Sequence, residues 1–302
     1  GRSREKATVA ETIRELTRKH LEEDNGLLLG QTISAVGWVN GTVPNCKGIV
    51  ELPMTDVAGA GIAVGSAMVG RRPIFVLRFQ DFIMLNGSPI FNYAAKVKEL
   101  HGQSAPIFVR VVGSEGLGVV HSGVMHSLPM HYPGMRVWAP MTPWEYKKCW
   151  DDFMDHDDPM YVSEHKESFQ NREEFPDIIR KKAKITIYAI GATRFSTIEA
   201  IRKLEKEGVF CNLIHIYQLK PMIIGERETL PLTATKKGLV IDAGFEICGA
   251  ARDLAYCLTD NTGIPVKAFG LKDCSKVLCE PNRNPFPNKE MIMKKIKEVI
   301  AN

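Results

Sequence analysis

Short apolar runs alternate with helix-period segments along almost the whole chain, and no other feature limits its fold so strongly. Gly26 to Gln31 (GLLLGQ), Gly48 to Glu51 (GIVE), Pro73 to Phe79 (PIFVLRF), Pro106 to Val112 (PIFVRVV) and Met160 to Ser163 each read as strands. Helical segments lie at Thr8 to Glu23, Asp56 to Val69, Ser88 to His101 and Pro143 to Met154. Pro89 sits in the first turn of the third of these, where proline is tolerated. The Gly- and Asn-containing stretch before Gly48 reads as a loop. Apolar strands joined by helices predict βαβ units and a parallel sheet covered on both faces.

A charged, aperiodic stretch from Lys166 to Lys182 interrupts the pattern, which then restarts. Strands are expected at Lys184 to Ile190, Val209 to Ile216, Gly238 to Ile241 and Val266 to Phe269. Helices are expected at Arg194 to Glu207 (with Gly208 as C-cap), Glu246 to Leu258 and Asn288 to Ile300. The reading is two α/β domains, residues 1–170 and 183–302, a division that 302 residues readily fill.

Composition narrows the function classes. At 44% hydrophobic and 25% charged, the chain can bury cores and is not disordered. Its 39 basic and 35 acidic residues are interspersed, so no nucleic-acid partner is expected. No apolar run is long enough for a bilayer and the first twenty residues hold no signal core, so a cytoplasmic protein without a membrane partner is expected. Seven cysteines (46, 149, 211, 248, 257, 274 and 279) form no C-x-x-C pair, which points to free thiols rather than disulfides or zinc.

Ligands of open α/β sheets bind beyond the carboxyl ends of strands. Three such places carry chemistry. In Val50 to Gly65 (VELPMTDVAGAGIAVG), Asp56 opens a helix, either as a plain N-cap or as a functional carboxylate. Gly59, Gly61 and Gly65 follow GxGxxxG spacing inside that helix rather than the GxGxxG of a dinucleotide turn, so close packing is their expected role. Arg78 to Phe82 (RFQDF) sets charges and a ring at a strand end, with Phe82 open to either core or ligand contact. Gly113 to Ser122 (GSEGLGVVHS) is a glycine-rich loop ending near His121. His121, His126 and His131 recur every five residues, which puts them on no common helix face, so no metal site is expected.

Together these segments resemble the beta subunits of thiamine-diphosphate-dependent 2-oxo acid dehydrogenases, within the wider transketolase-like superfamily. The resemblance rests on Pro53 to Ile74, Phe79 to Phe82, Ala94 to Lys96, Gly113 to Ser122, Pro133 to Pro140 and Asp158–Pro159. In the second half it rests on Ala189 to Gly191, Gln218 to Pro221 and Gly244 to Glu246. It implies an α/β fold with a pyrimidine-binding domain followed by a transketolase C-terminal-like domain. It implies thiamine diphosphate as cofactor, with only the pyrimidine half bound here. The chain lacks the G-D-G motif, so the diphosphate and its Mg²⁺ would belong to an alpha-type subunit, in an α₂β₂ tetramer. A lipoyl carrier domain is a further implied partner.

By the same resemblance, a glutamate at the start of the small-residue helix hydrogen-bonds the pyrimidine ring and thereby promotes C2-carbanion chemistry on a 2-oxo acid or ketose-type substrate. This chain has Asp56 there. One methylene less is about 1.5 Å of lost reach, enough to stretch a ~2.7 Å contact past ~4 Å. Three outcomes stay open: a shifted helix start, a bridging water, or weakened activation. Glu51 is a second choice of carboxylate. Phe82 is implied to pack on the aminopyrimidine and His121 to face the substrate as a catalytic histidine. Arg78 replaces an apolar residue near the cofactor, serving either an anionic substrate group or a surface ion pair. A family potassium site near Asp158 is also implied.

The leading reading is therefore a catalytic beta subunit that decarboxylates a 2-oxo acid and transfers the product. Alternatives are a split transketolase-like ketol-transfer subunit and a non-catalytic partner subunit in which Asp56 marks lost chemistry. A nicotinamide-dependent oxidoreductase is weaker, because the glycine spacing is wrong for it.

Overall fold

The computed structural model describes residues 5–275 and 285–302; Cys279 lies outside them. The chain divides into two compact units, Gly1–Glu174 and Phe175–Asn302. The division falls inside the charged stretch that interrupts the sequence pattern.

The first unit begins with helix α1 (Val9–Glu23), whose Thr8 and Glu11 form a reciprocal capping box at 2.8 and 3.0 Å. Strand β1 (Leu28–Gln31) follows, then a turn α2 (Ala35–Gly41), β2 (Ile49–Leu52), α3 (Val57–Met68) and β3 (Ile74–Leu77). Next come α4 (Ile83–Pro89), α5 (Ala95–His101), β4 (Phe108–Gly113), α6 (Ser127–His131), β5 (Arg136–Trp138), α7 (Pro143–Met154) and β6 (Met160–His165). The strands lie in the order β2-β1-β3-β4-β6-β5, every pair parallel. Every residue of β3, β4 and β6 is buried, as parallel strands covered on both faces require.

Besides α6 and β5, which the sequence reading did not include, two segments of this unit depart from it. Helical backbone begins at Gln80 rather than Ser88, with a 3₁₀ turn at Gln80–Phe82 and a π turn at Ile90–Ala94 between α4 and α5. Pro89 therefore ends α4 instead of opening a helix. Its ring nitrogen has no proton for the carbonyl four residues back. The expected loop before Gly48 contains a left-handed turn, with Val36, Gly37, Trp38, Val39 and Asn40 at φ between 50° and 61°. Each non-glycine residue in that conformation costs roughly 1–2 kcal/mol. The turn is tied down by Arg14 Nη1, which donates to Gly41 O at 3.0 Å, and by Arg110 Nη2, which donates to Thr42 Oγ1 at 2.9 Å.

Arg110 and Glu164 join neighbouring strands β4 and β6 through a fully buried two-pronged ion pair at 2.8 and 2.9 Å. Tyr146 OH donates to the same carboxylate at 2.5 Å. The pair holds the guanidinium charged, its pKa raised by Glu164 against the opposing cost of burial.

The second unit contains β7 (Thr186–Ile190), α8 (Thr193–Lys206), β8 (Asn212–Ile216), β9 (Gln218–Lys220), α9 (Glu226–Thr235), β10 (Gly238–Phe245), α10 (Ala250–Thr262), β11 (Val266–Leu271) and α11 (Lys289–Ala301). Four strands form a parallel sheet ordered β11-β10-β7-β8. Ile187, Leu213 and Leu239 of the sheet pack with Leu204 of α8 and Ile292 and Ile296 of α11 in one core. Helix α9 carries Pro231 in its interior, which hides its helical period in the sequence. Both units thus have the α/β architecture that the alternating pattern predicts. Among the described residues, no helix is long and apolar enough to cross a membrane.

Candidate active site

Parallel strands place the carboxyl ends of β1, β2 and β3 on one edge, and a cavity of about 120 Å³ opens there. It is lined by Thr32 after β1, by Met54 and Asp56 after β2, by Arg78 and Phe82 after β3, and by Leu85 and Asn86 of α4. Its size is close to the ~150 Å³ apolar cavity that admits a benzene ring. Asp56, Arg78 and Phe82, singled out in the sequence, therefore meet in one place.

Asp56 stands at the N-cap position of α3, yet its side chain makes no capping bond. The N-cap explanation of this carboxylate is thereby overturned. Its backbone takes φ 43°, ψ −92°, a conformation that L-residues rarely adopt and that costs of the order of 1–3 kcal/mol. The carboxylate instead accepts a hydrogen bond from Asn86 Nδ2 at 3.1 Å. Asn86 is 2% exposed, also donates to Phe82 O at 3.0 Å, and leaves its own Oδ1 buried without a hydrogen-bond partner. Nothing in the sequence flagged Asn86, because its neighbours read as a strand-to-helix loop. Glu51, the second-choice carboxylate, points elsewhere. It accepts from Ser34 Oγ at 2.7 Å and is not among the cavity-lining residues.

His121 does not line the cavity. Its ring meets Phe79 and Phe82 edge-on, with centroids 5.0 and 5.6 Å away. The glycine-rich loop that carries it is fastened from the motif after β3. Gln80 Oε1 accepts from Met125 N at 2.7 Å and from Tyr161 OH at 3.0 Å, while Gln80 Nε2 donates to Ser163 Oγ at 2.9 Å. Asp81 Oδ2 accepts from Gly123 N at 3.0 Å, and a Cβ on Gly123 would lie 2.6 Å from Asp81 Oδ1. The motif thus supplies a ring to the cavity and two polar anchors to the loop.

Two further expectations need revision. Gly59 packs closely, with a hypothetical Cβ 3.0 Å from Leu52, but Gly61 and Gly65 face open space in this chain. Close packing within the chain accounts for the first alone. Near Asp158, where a potassium ion was implied, the carboxylate instead faces Lys98 Nζ at 3.2 Å and Arg136 Nη1 at 3.8 Å. Protein cations already supply the positive charge there. His126 is a structural residue, its Nδ1 2.8 Å from Ser163 Oγ in the core.

The site combines a carboxylate, an unsatisfied amide oxygen, an aromatic ring and apolar walls in a space of one-ring size. That set fits a flat heterocycle bearing ring nitrogens and an amino group. A buried acceptor without a donor is costly, and such a ligand would satisfy it.

The chain is similar to known proteins over most of its length. Residues 15–171 match the transketolase pyrimidine-binding domain and residues 177–280 the transketolase C-terminal domain. The acetoin:2,6-dichlorophenolindophenol oxidoreductase subunit beta of Cupriavidus necator is 28% identical over 257 residues, 79% of this chain and 73% of that protein. The mitochondrial pyruvate dehydrogenase E1 component subunit beta of Homo sapiens is 25% identical over 262 residues, 80% of this chain and 71% of that protein. A split-gene transketolase, solved as an inactive beta4 tetramer, superposes with a TM-score of 0.76 at 16% identity, covering 98% of this chain and 99% of that one.

Proposed function

The chain belongs to the transketolase pyrimidine-binding domain family, joined to a transketolase C-terminal domain, and from that premise we propose that it is the catalytic beta subunit of a heteromeric thiamine-diphosphate enzyme. Bound thiamine diphosphate would supply an electron sink for breaking a bond next to a substrate carbonyl. The observation that carries the reading is the convergence of Asp56, Asn86 and Phe82 on one ring-sized cavity.

Each residue has a distinct task. Asp56 holds a proton shared with a ring nitrogen, through the carboxylate oxygen that Asn86 leaves free. Asn86 fixes the direction of that short carboxylate and offers Oδ1 to a donor. Phe82 forms an apolar wall for the ring. His121, braced by Phe79 and Phe82, donates a proton or stabilises negative charge on the substrate side.

The diphosphate and Mg²⁺ belong in this proposal to an alpha-type subunit in an α₂β₂ assembly. The substrate in this proposal is a 2-oxo acid or a ketose-type compound, and in the dehydrogenase branch decarboxylation is followed by transfer to a lipoyl carrier. The two relatives named above by sequence identity over most of their length are beta subunits of oxidoreductases, which supports this branch, whereas the split-gene transketolase shares the fold at 16% identity. The test is exchange of the cofactor C2 proton in the complex assembled with a G-D-G-bearing partner. Exchange well above the uncatalysed rate is expected, and exchange at that rate refutes the catalytic reading. Binding of a lipoyl domain separates the dehydrogenase branch from a split transketolase-like subunit.

A further inference from the structure

The two units share the formal charge unevenly. Residues 175–302 hold 21 lysines and arginines against 14 aspartates and glutamates, a net of +7, whereas residues 1–174 hold 18 against 21. Such asymmetry points to an anionic partner where the excess is gathered on one surface. In the second unit it is. A groove of about 500 Å³ opens at the amino ends of β10 and β11, beside the second half of α11. Lys236 and Lys237 before β10, Lys267 in β11 and Lys295 of α11 line it. Lys184 stands at the same edge, two residues before Thr186, which lies opposite Gly238 in the pairing of β7 with β10.

The folded chain does not neutralise these lysines. Elsewhere in this unit cations pair with carboxylates: Arg180 with Glu205 at 2.6 Å, Lys272 with Glu246 at 2.8 Å and Lys297 with Glu207 at 3.1 Å. Lys184, Lys236 and Lys267 form no ion pair among the described residues. Lys237 donates to Val299 O and Ile300 O, so it closes the C-terminus of α11 without meeting a carboxylate. The one acidic side chain lining the groove, Glu298, faces Lys295 at 3.9 Å and is 51% exposed. A concave surface lined by one sign of charge focuses its field on whatever approaches.

The position of the groove argues against a substrate. Ligands of open α/β sheets bind beyond the carboxyl ends of the strands, and these are the amino ends. Its lining argues against nucleic acid. It holds no aromatic side chain and no arginine, so bases find no stacking surface and phosphates no planar fork. Pro265 and Val299 add uncharged surface among the ammonium groups, against which the methylenes of acidic side chains can lie. We propose that this groove is a docking surface for an acidic segment of a partner polypeptide, a stretch with several Asp and Glu residues. The exposed lysines would speed its capture and make the association sensitive to salt. The inference is independent of the cofactor reading, since the groove lies wholly within the second unit.

The experiment is a fluorescence-anisotropy titration of the full chain. The probes are a labelled peptide of alternating glutamate and alanine, the matching glutamine–alanine peptide, and an oligothymidylate of equal charge. The glutamate peptide should bind about ten-fold or more tightly than either other probe, and its affinity should fall as salt rises. Lys236→Glu with Lys267→Glu should weaken that binding about ten-fold or more. Both side chains are exposed, so the exchange leaves the core of the unit intact. Lys147→Glu, at an exposed lysine of the first unit, should leave the affinity within about two-fold. Amide shifts on binding should gather at 236–238, 265–267 and 295–299. Equal binding of the glutamine peptide, or of oligothymidylate, overturns the proposal. So does an affinity unchanged in the double variant, or an equal loss in Lys147→Glu, which would reduce the attraction to net charge.

Discussion

Asn86 Nδ2 donates to Asp56 Oδ1 at 3.1 Å, and that one bond ties α4 to the turn between β2 and α3. It leaves the other carboxylate oxygen to face a ligand. Asp56→Ala should therefore abolish cofactor C2-proton exchange in the assembled complex while far-UV circular dichroism stays unchanged. Asp56→Glu should retain or raise the exchange rate, since it restores about 1.5 Å of reach. Normal exchange in the alanine variant would refute the role given to Asp56.

Asn86→Asp would place a second carboxyl beside the first. Two carboxylates at hydrogen-bond distance cannot both ionise freely, so one apparent pKa rises. The pH profile of C2-proton exchange should move upward by about one unit or more relative to the native protein. A profile that stays in place would show that Asn86 does not act on Asp56.

The Arg110–Glu164 pair is buried on both sides. Arg110→Met or Glu164→Gln leaves an uncompensated or unsatisfied group and should cost about 3–5 kcal/mol in urea unfolding. Replacing both residues with apolar ones should cost clearly less than the two single losses combined.

Two buried histidines predict acid sensitivity. Burial, then Arg194 and Arg227, depresses His215 to about 3; burial, then Lys166, depresses His165 to about 4. Both are neutral when folded, and His215 Nδ1 accepts from Arg194 Nε at 3.0 Å. The unfolded chain binds their protons from about pH 6.5 downward. Their contribution is complete above pH 6.5 and is lost as pH falls toward 4 for His165 and 3 for His215. The slope is up to about 1.4 kcal/mol per pH unit for each. Denaturation between pH 7 and 4.5 should show this fall, and His215→Gln should flatten it.

Val36 is 61% exposed and sits at φ 50°. Glycine accepts that backbone without the steric penalty, although it loses more entropy on folding. Val36→Gly should stabilise the first unit by about 1 kcal/mol, read as a higher unfolding midpoint.

The α/β architecture of both units was legible from PIFVLRF and PIFVRVV alone, because buried parallel strands are apolar at every position. Asp56, Phe82 and Arg78 were legible because they stand just past strand ends, and the structure gathers them around one cavity. Asn86 was not. A single asparagine inside Ile83–Pro89 has no periodic or spacing signal, and its role depends on a residue thirty positions away. The helical start at Gln80 was missed because the polar Gln80 and Asp81 directly after β3 read as a loop, and the 3₁₀ turn there is too short to show a helical period. The left-handed turn at Val36 to Asn40 was missed because only one of its five residues is glycine. Helix α9 was hidden by Pro231. Local pattern reveals elements and their ends, whereas contacts made across the sheet leave no trace in the order of residues.

The lock between Arg110 and Glu164 also bears on how such a chain can drift. Neither side chain can be exchanged alone without stranding the other in the interior of the sheet, so any single step away is steeply unfavourable. Lineages descending from this sequence should keep both residues or lose both together, so the join between β4 and β6 should be slow to change.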